Sequence, residues 1–370
     1  MKIILAQFNH SGGEYLYRLA NALAQTHEVL VLATERARDD TDLLATGDPD
    51  FRITFLEGTA SQTDLIKKTL ELSTFTDIRR IVRSFDPDVI HVVNEFFWTG
   101  ILMPLLREYP FFVTVHEPSF RERHANRGVQ TVYYRLRFPL NKAIRKRADG
   151  IFVHGPSTRD SLADHVPSER IWTIPHGQYT SFVNHSSDVP EETAVLFFGL
   201  IRDDKGLEYL LQSESKIIEA IKDVKFIIAG GGDIGPYKNG ISNPDRFEIY
   251  NQYLDEAEAA KLFERAAVVV CPYTDATQSG VIASTYPFSK PVVSTTVGNI
   301  PVQVDHGRTG YLVPPADPDA LARRVIELLS NTDRRHRMGA AARKKATTDF
   351  SWERVASLST RAYQSVVRTQ

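Results

Sequence analysis

Hydrophobic positions along this chain fall into two alternating patterns. Short runs rich in β-branched and aromatic residues, the signature of buried strands, are followed by longer segments whose apolar residues recur every three or four positions, the signature of helices. Met1 to Gln7 reads as the first strand. A helix follows from about Tyr15 to Gln25, with Leu16, Leu19, Ala20 and Leu23 on one face. Further strands are predicted at Val29 to Thr34, Phe51 to Glu57, Asp86 to Asn94, Phe111 to Pro118, Ala148 to Gly155 and Arg170 to Gly177. Helices are predicted over Leu65 to Phe85, over GILMPLLREY from Gly100, and over STRDSLADH with Ser157 as N-cap. EFFWTG from Glu95 reads as the ligand-facing end of the strand before it.

A polar, breaker-rich stretch from Gln178 to Glu192 interrupts the alternation and marks a domain boundary. Beyond it the pattern resumes. Strands are predicted at Ala194 to Phe198, Val224 to Asp233, from Arg246, Val268 to Tyr273, Lys290 to Thr295 and from Gly310. Helices fall at LEYLLQSESKIIEAI from Leu207, at Asp255 to Ala267, Val281 to Ser289 and Asp319 to Ser330, with a last amphipathic one from Phe350. Strand–helix alternation in both halves predicts an α/β fold of two Rossmann-like doubly wound domains facing each other across a cleft, 1–180 and 193–352.

The candidate chemistry lies where predicted strands end, because open α/β sheets bind ligands at their carboxyl edge. The strand Ala194–Phe198 ends at Gly199. Arg202 and Lys205 follow, and Gly206 opens a helix. A helix N-terminus, a guanidinium fork and a point ammonium together suit a diphosphate, the alternative being a charged loop without ligand. His116 ends a buried strand just before Glu-Pro, Gly12-Gly13 separate the first strand from its helix, and Gly230 to Gly232 and Asp275 to Gly280 close two further strands. None of this supplies a Cys/His metal set, a Ser-His-Asp set or a Walker lysine. No resident metal or cofactor is expected.

Composition narrows the reading further. At 370 residues two domains are expected, and 42% hydrophobic with 24% charged residues is ordinary globular composition. A net charge of −2 gives no global reason to bind nucleic acid. The lone Cys271 excludes an internal disulfide, MKIILAQFNHSGG reads as a strand and turn, and no apolar run approaches the length of a membrane span, so a cytoplasmic protein is expected. The one charged cluster, 121–147, interleaves Arg and Lys with aromatics. It fits anionic lipid at the inner membrane face or a polyanionic acceptor. It equally fits a solvated helix face with Tyr134, Leu136, Phe138 and Ile144 turned inward, which Pro139 favours.

Taken together, FFGLIRDDKGL from Phe197, IAGGGD from Ile228, PYTDATQSGV from Pro272, KPVVSTTVGN from Lys290, HGRTGYLVPPAD from His306 and FSWE from Phe350 resemble the retaining group 1 glycosyltransferases of GT-B fold, glycosyltransferase family 4. The resemblance covers essentially the whole chain. It implies a nucleotide diphosphate sugar held mostly by the C-terminal domain, and an acceptor (saccharide, lipid-linked or small molecule) held mostly by the N-terminal one. It also implies a last helix, 353–370, that returns to the N-terminal domain. Carried over by position, Arg202 and Lys205 would neutralise the departing diphosphate and His116 would lie near the donor sugar. Gly12, Gly13, Gly199, Gly231, Gln278, Ser279 and Gly280 would approach the donor. The sequence departs from the family at one point: two glutamates eight apart are replaced, with Ala276 or Thr277 and Ser284 or Thr285 in their places, which leaves Asp275 or Thr285 for the ribose.

The reaction implied is hexosyl transfer to an acceptor hydroxyl with retention and without a metal, as in surface polysaccharide or glycolipid assembly. UDP-hexose is favoured as donor and GDP-mannose comes second. The rivals are a catalytically degenerate sugar-nucleotide-binding partner and another two-domain sugar-nucleotide enzyme such as an epimerase.

Overall fold

The computed structural model describes residues 1–9, 13–38, 50–118 and 139–368. The chain divides into two compact units, Met1–His176 with Trp352–Gln370, and Gly177–Ser351.

The first unit is built on a seven-stranded parallel sheet. Its strands are β1 (Lys2–Gln7), β2 (Glu28–Thr34), β3 (Arg52–Leu56), β4 (Val89–Val92), β5 (Phe111–Val115), β6 (Gly150–Val153) and β7 (Ile171–Thr173), in the order β3-β2-β1-β4-β5-β6-β7. Ile3 pairs with Val29 on one side and Val89 on the other, so the chain reverses direction across the sheet between β1 and β4. β1, β4, β5 and β6 are apolar and buried almost throughout, as parallel strands covered on both faces must be. Helix Trp352–Val367 belongs to this unit and packs on helix Glu14–Ala24. Its Tyr363 is wholly buried beside Phe112 and Phe152, and its hydroxyl lies 2.7 Å from His91 Nδ1.

The second unit carries a six-stranded parallel sheet: β8 (Ala194–Phe198), β9 (Lys225–Ala229), β10 (Phe247–Tyr250), β11 (Val268–Cys271), β12 (Val292–Thr295) and β13 (Gly310–Val313), ordered β10-β9-β8-β11-β12-β13. Here the direction reverses between β8 and β11. Helix Glu256–Arg265 begins with a capping box, Asp255 accepting from Glu258 N at 2.7 Å and Glu258 accepting from Asp255 N at 3.1 Å.

Several expectations are corrected. The helix read over 65–85 is broken at Glu71, which is extended, into Gln62–Leu70 and Leu72–Phe85. A continuous helix would turn Leu65 away from the face that buries Phe75, Ile78, Val82 and Phe85, and the break restores it to the core. EFFWTG does not extend a strand, because a helix starts at Phe97. Ser157 is not an N-cap: Gly155 takes that place with Pro156 at the first helical position, where a missing N–H costs nothing. The cut between the units falls at His176/Gly177, at the start of the breaker-rich stretch 178–192, which itself lies in the second unit. Glu264 accepts from the backbone N–H of Ser187 and of Asp188, both at 3.0 Å, while Glu191 and Glu192 pair with Lys290 and Arg265. Helix Thr332–Thr348 was not read at all, since its buried face, Met338, Ala342 and Ala346 with Arg335 and Lys345, is narrow and partly charged.

Candidate functional site

The reversal between β8 and β11 is where an open parallel sheet leaves a crevice at its carboxyl edge, and the sequence places Arg202 and Lys205 there. After β8 the chain passes Arg202 and a single 3-10 turn, Asp203–Lys205, then enters helix Leu207–Ala220 through Gly206. Gly206 has φ +68°, and a Cβ there would fall 1.9 Å from the Pro272 carbonyl oxygen, so only glycine lets the turn lie against the loop after β11.

A buried carboxylate organises this turn. Arg202 donates from Nε and Nη2 to the two oxygens of Asp204, each at 2.8 Å, and Lys205 Nζ lies 3.8 Å from the same group. Lys205 also sits 4.4 Å above the Tyr273 ring. Thr274 N donates to the Asp204 carbonyl at 3.1 Å, joining the β8 and β11 loops through their backbones. Arg202 remains 40% exposed and Lys205 22%, so both cations are steered by Asp204 while still reaching solvent. The sequence reading singled out the two cations and missed the carboxylate between them.

The loop after β11 is equally fixed. Ser279 caps helix Gly280–Thr285, its hydroxyl accepting from Ile282 N at 3.2 Å and lying 2.9 Å from the Tyr273 hydroxyl. Buried Gln303 holds Ser279 by both its backbone groups, accepting from the N–H at 2.8 Å and donating to the carbonyl at 3.0 Å. Gln278 and Gly280 flank this clamp and are partly exposed, as is Asp275. Thr285 is fully buried and its hydroxyl donates to the Val281 carbonyl at 2.7 Å, which removes it as a donor to a ribose. Gly199 and Gly231 lie where β8 and β9 end. Between those ends Gly230, at φ +144°, lets its backbone lie against Gly199, whose carbonyl oxygen a Cβ would meet at 1.9 Å.

In the first unit, His116 follows β5 directly and Gly13 is the N-cap of helix Glu14–Ala24. Gly12 lies outside the described residues. His116 Nε2 donates to the Val93 carbonyl at 3.0 Å, and burial lowers its pKa to about 4, so its imidazole is neutral. Two histidines the sequence reading passed over join it: His154, directly after β6, and His176, just beyond β7, with Tyr15 packed against all three rings. One signal was available, since three consecutive strand runs each end in histidine.

The basic stretch is corrected in part. Residues 121–138 lie outside those described. Arg145 is no surface cation: it is 2% exposed and paired with Glu95 at 2.6 and 2.5 Å, and its guanidinium also donates to the carbonyls of Pro118 and Glu117. Ile144 is buried as expected. Among the described residues no helix is long and apolar enough to cross a membrane.

Comparison with known proteins bears on both units. Residues 12–181 match the family described as Glycosyltransferase Family 4, and residues 192–331 match Glycosyl transferases group 1. An uncharacterized glycosyltransferase of Methanocaldococcus jannaschii is 28% identical over 177 residues, which span 47% of this chain and 45% of that relative. Sucrose-phosphate synthase from Thermosynechococcus elongatus shares the fold with a TM-score of 0.75 and 20% identity, each chain covered in full. Anabaena HepE, solved in complex with UDP and glucose, does so with a TM-score of 0.72 and 16% identity over 99% of this chain and 100% of that one.

Proposed function

The chain belongs to the group 1, family 4 glycosyltransferases of GT-B fold, and we propose that it moves a hexosyl group from a nucleotide diphosphate sugar to an acceptor hydroxyl with retention at the anomeric carbon. The observation that carries this reading is the turn at the β8/β11 reversal, where Arg202 and Lys205 are fanned around buried Asp204 beside the backbone of the Ser279 loop. A leaving nucleoside diphosphate gains negative charge as the glycosidic bond breaks. Fixed cations and amides that meet that charge are the largest single contribution an active site makes. With two cations so placed, the reaction requires no divalent metal.

No nucleophilic carboxylate is assigned. The acceptor attacks from the face the diphosphate leaves, and a phosphate oxygen takes the acceptor proton. Gly12, Gly13 and His116 belong to the first unit's share of the substrates: a neutral imidazole at a strand end is suited to hydrogen-bond a sugar hydroxyl. UDP-glucose is the first donor to try, supported by the complex of HepE with UDP and glucose, and GDP-mannose the second. The ribose falls to Asp275, because the Thr285 hydroxyl is engaged. The acceptor is a saccharide or a lipid-linked saccharide of surface polysaccharide assembly, and the protein works in the cytoplasm.

Release of free nucleoside diphosphate from each donor, with the anomeric configuration of the product read by NMR, tests the reading. Retained configuration with one preferred donor supports it. An inverted product overturns the retaining route, and binding without turnover overturns the enzyme in favour of a sugar-nucleotide-binding partner.

A further inference from the structure

His154 and His176 have no part in the transfer reaction, and in the first unit they form a cluster with His116. His116, His154 and His176 come from the carboxyl ends of three neighbouring strands, and one ring nitrogen of each lies within 4.8 Å of the other two. Their ring centroids are 4.9 to 5.7 Å apart. We propose that they bind a single divalent transition-metal ion of the zinc class through one ring nitrogen of each imidazole.

Hydrogen bonding sets the tautomers for this. His116 Nε2 is 3.0 Å from the Val93 carbonyl and His154 Nδ1 is 3.2 Å from the Ile174 carbonyl. A carbonyl only accepts, so each of these nitrogens carries a hydrogen, and the lone pair of each neutral ring sits on the other nitrogen: Nδ1 of His116 and Nε2 of His154. An imidazole that donates one N–H to a backbone carbonyl while presenting its other nitrogen is the arrangement that orients metal-bound histidines. The Nε2 of His154 is buried and has no hydrogen-bond partner among the described residues, so a basic nitrogen inside the protein stands unsatisfied.

The geometry is within reach of an ion. Zinc–nitrogen bonds of about 2.0–2.1 Å in a tetrahedron place their nitrogens about 3.4 Å apart. Closing from 4.8 Å takes side-chain shifts on the order of 1 Å. Three nitrogens leave a fourth position for water or a substrate oxygen. Tyr15, packed edge-on against His116 and His154 and against Trp352, gives the site a low-dielectric wall. Nitrogen ligands without carboxylates select zinc, cobalt, nickel or copper over magnesium or calcium. An ion here takes the lone pair of His116 that a sugar hydroxyl would use, so it acts as an inhibitor of transfer and not as its cofactor.

Cobalt(II) titrated alone into chelator-stripped protein tests the site, because tetrahedral cobalt has intense visible absorption. The expected result is one equivalent bound with that spectrum, displaced by zinc. His154→Ala and the milder His176→Gln should each weaken binding at least about tenfold, since even second-shell changes reach that size. Circular dichroism identifies any variant that fails to fold, and His185→Ala, on an exposed histidine of the second unit, should leave binding unchanged. No tetrahedral spectrum in the wild type, or an undiminished one in folded His154→Ala and His176→Gln, overturns the site. The readout uses no nucleotide, so either result is independent of the transfer reaction.

Discussion

Arg202 and Asp204 are two residues apart and joined by two parallel hydrogen bonds of 2.8 Å, with the carboxylate buried and the guanidinium partly open to solvent. The pair converts a long, entropically costly side chain into a fixed donor fork before any ligand arrives, which is the form in which a cation contributes most to a transition state. Replacing Asp204 with Asn keeps its shape and removes the charge that holds both Arg202 and Lys205. The kcat of transfer should then fall on the order of tenfold with the nucleotide still bound. Steady-state kinetics on the variant checks this, and an unchanged kcat would mean that Arg202 needs no such support.

Gln303 contacts Ser279 through both of its amide atoms and helps to fix the loop after β11. Gln303→Ala leaves the buried Ser279 N–H unmet, at about 1–3 kcal/mol before relaxation, and takes from the Ser279 carbonyl one of its two donors, the other being Ala283 N. Lower stability in urea unfolding should accompany weaker nucleotide binding. Lost stability with full nucleotide affinity would show that the loop does not touch the donor.

The Glu95–Arg145 pair is buried on both sides. Glu95→Gln strands a guanidinium in the interior, and breaking such a pair costs about 3–5 kcal/mol. Chemical denaturation of the variant measures it. The same burial removes Arg145 from any membrane-facing patch.

His91 gives a pH signature. It is wholly buried, with Nδ1 at 2.7 Å from the Tyr363 hydroxyl and Nε2 at 2.7 Å from Thr114 Oγ1, and burial lowers its pKa to about 3. In the unfolded chain histidine titrates near 6.5. Between these values the unfolded state binds a proton that the folded state does not, so stability rises with pH across that window and is lost as pH falls from about 6.5 toward 3. Denaturation midpoints measured from pH 4 to 7 should show this slope, and His91→Asn should reduce it, leaving the share that buried His116 and His154 contribute.

The alternation of buried strands and striped helices made the two α/β units legible, because parallel strands covered on both faces have to be apolar throughout. The turn at Arg202 and Lys205 was legible for the same reason: charge confined between a buried strand and a helix start stands out. Asp204 and Gln303 were not legible, since their importance comes from partners that only the fold supplies, Arg202 two residues away in a particular turn and Ser279 far away in sequence. His154 and His176 read individually as strand-end residues, and their meeting depends on the order β5-β6-β7. Helix Thr332–Thr348 escaped because its buried stripe, Met338, Ala342 and Ala346, is narrow, made mostly of small residues, and shared with the charged Arg335 and Lys345.

The binding of a nucleoside diphosphate at the β8 turn is best tested by melting temperatures measured with UDP, GDP, ADP and dTDP and their common sugars, on wild type beside the double variant Arg202→Ala/Lys205→Ala. A ligand that binds only the folded state raises the midpoint by mass action. One base, UDP before GDP, should raise it in the wild type, and the double variant should lose the shift relative to its own ligand-free midpoint, which falls because buried Asp204 loses both cations. A full shift retained in the double variant would place the diphosphate elsewhere and contradict the assignment.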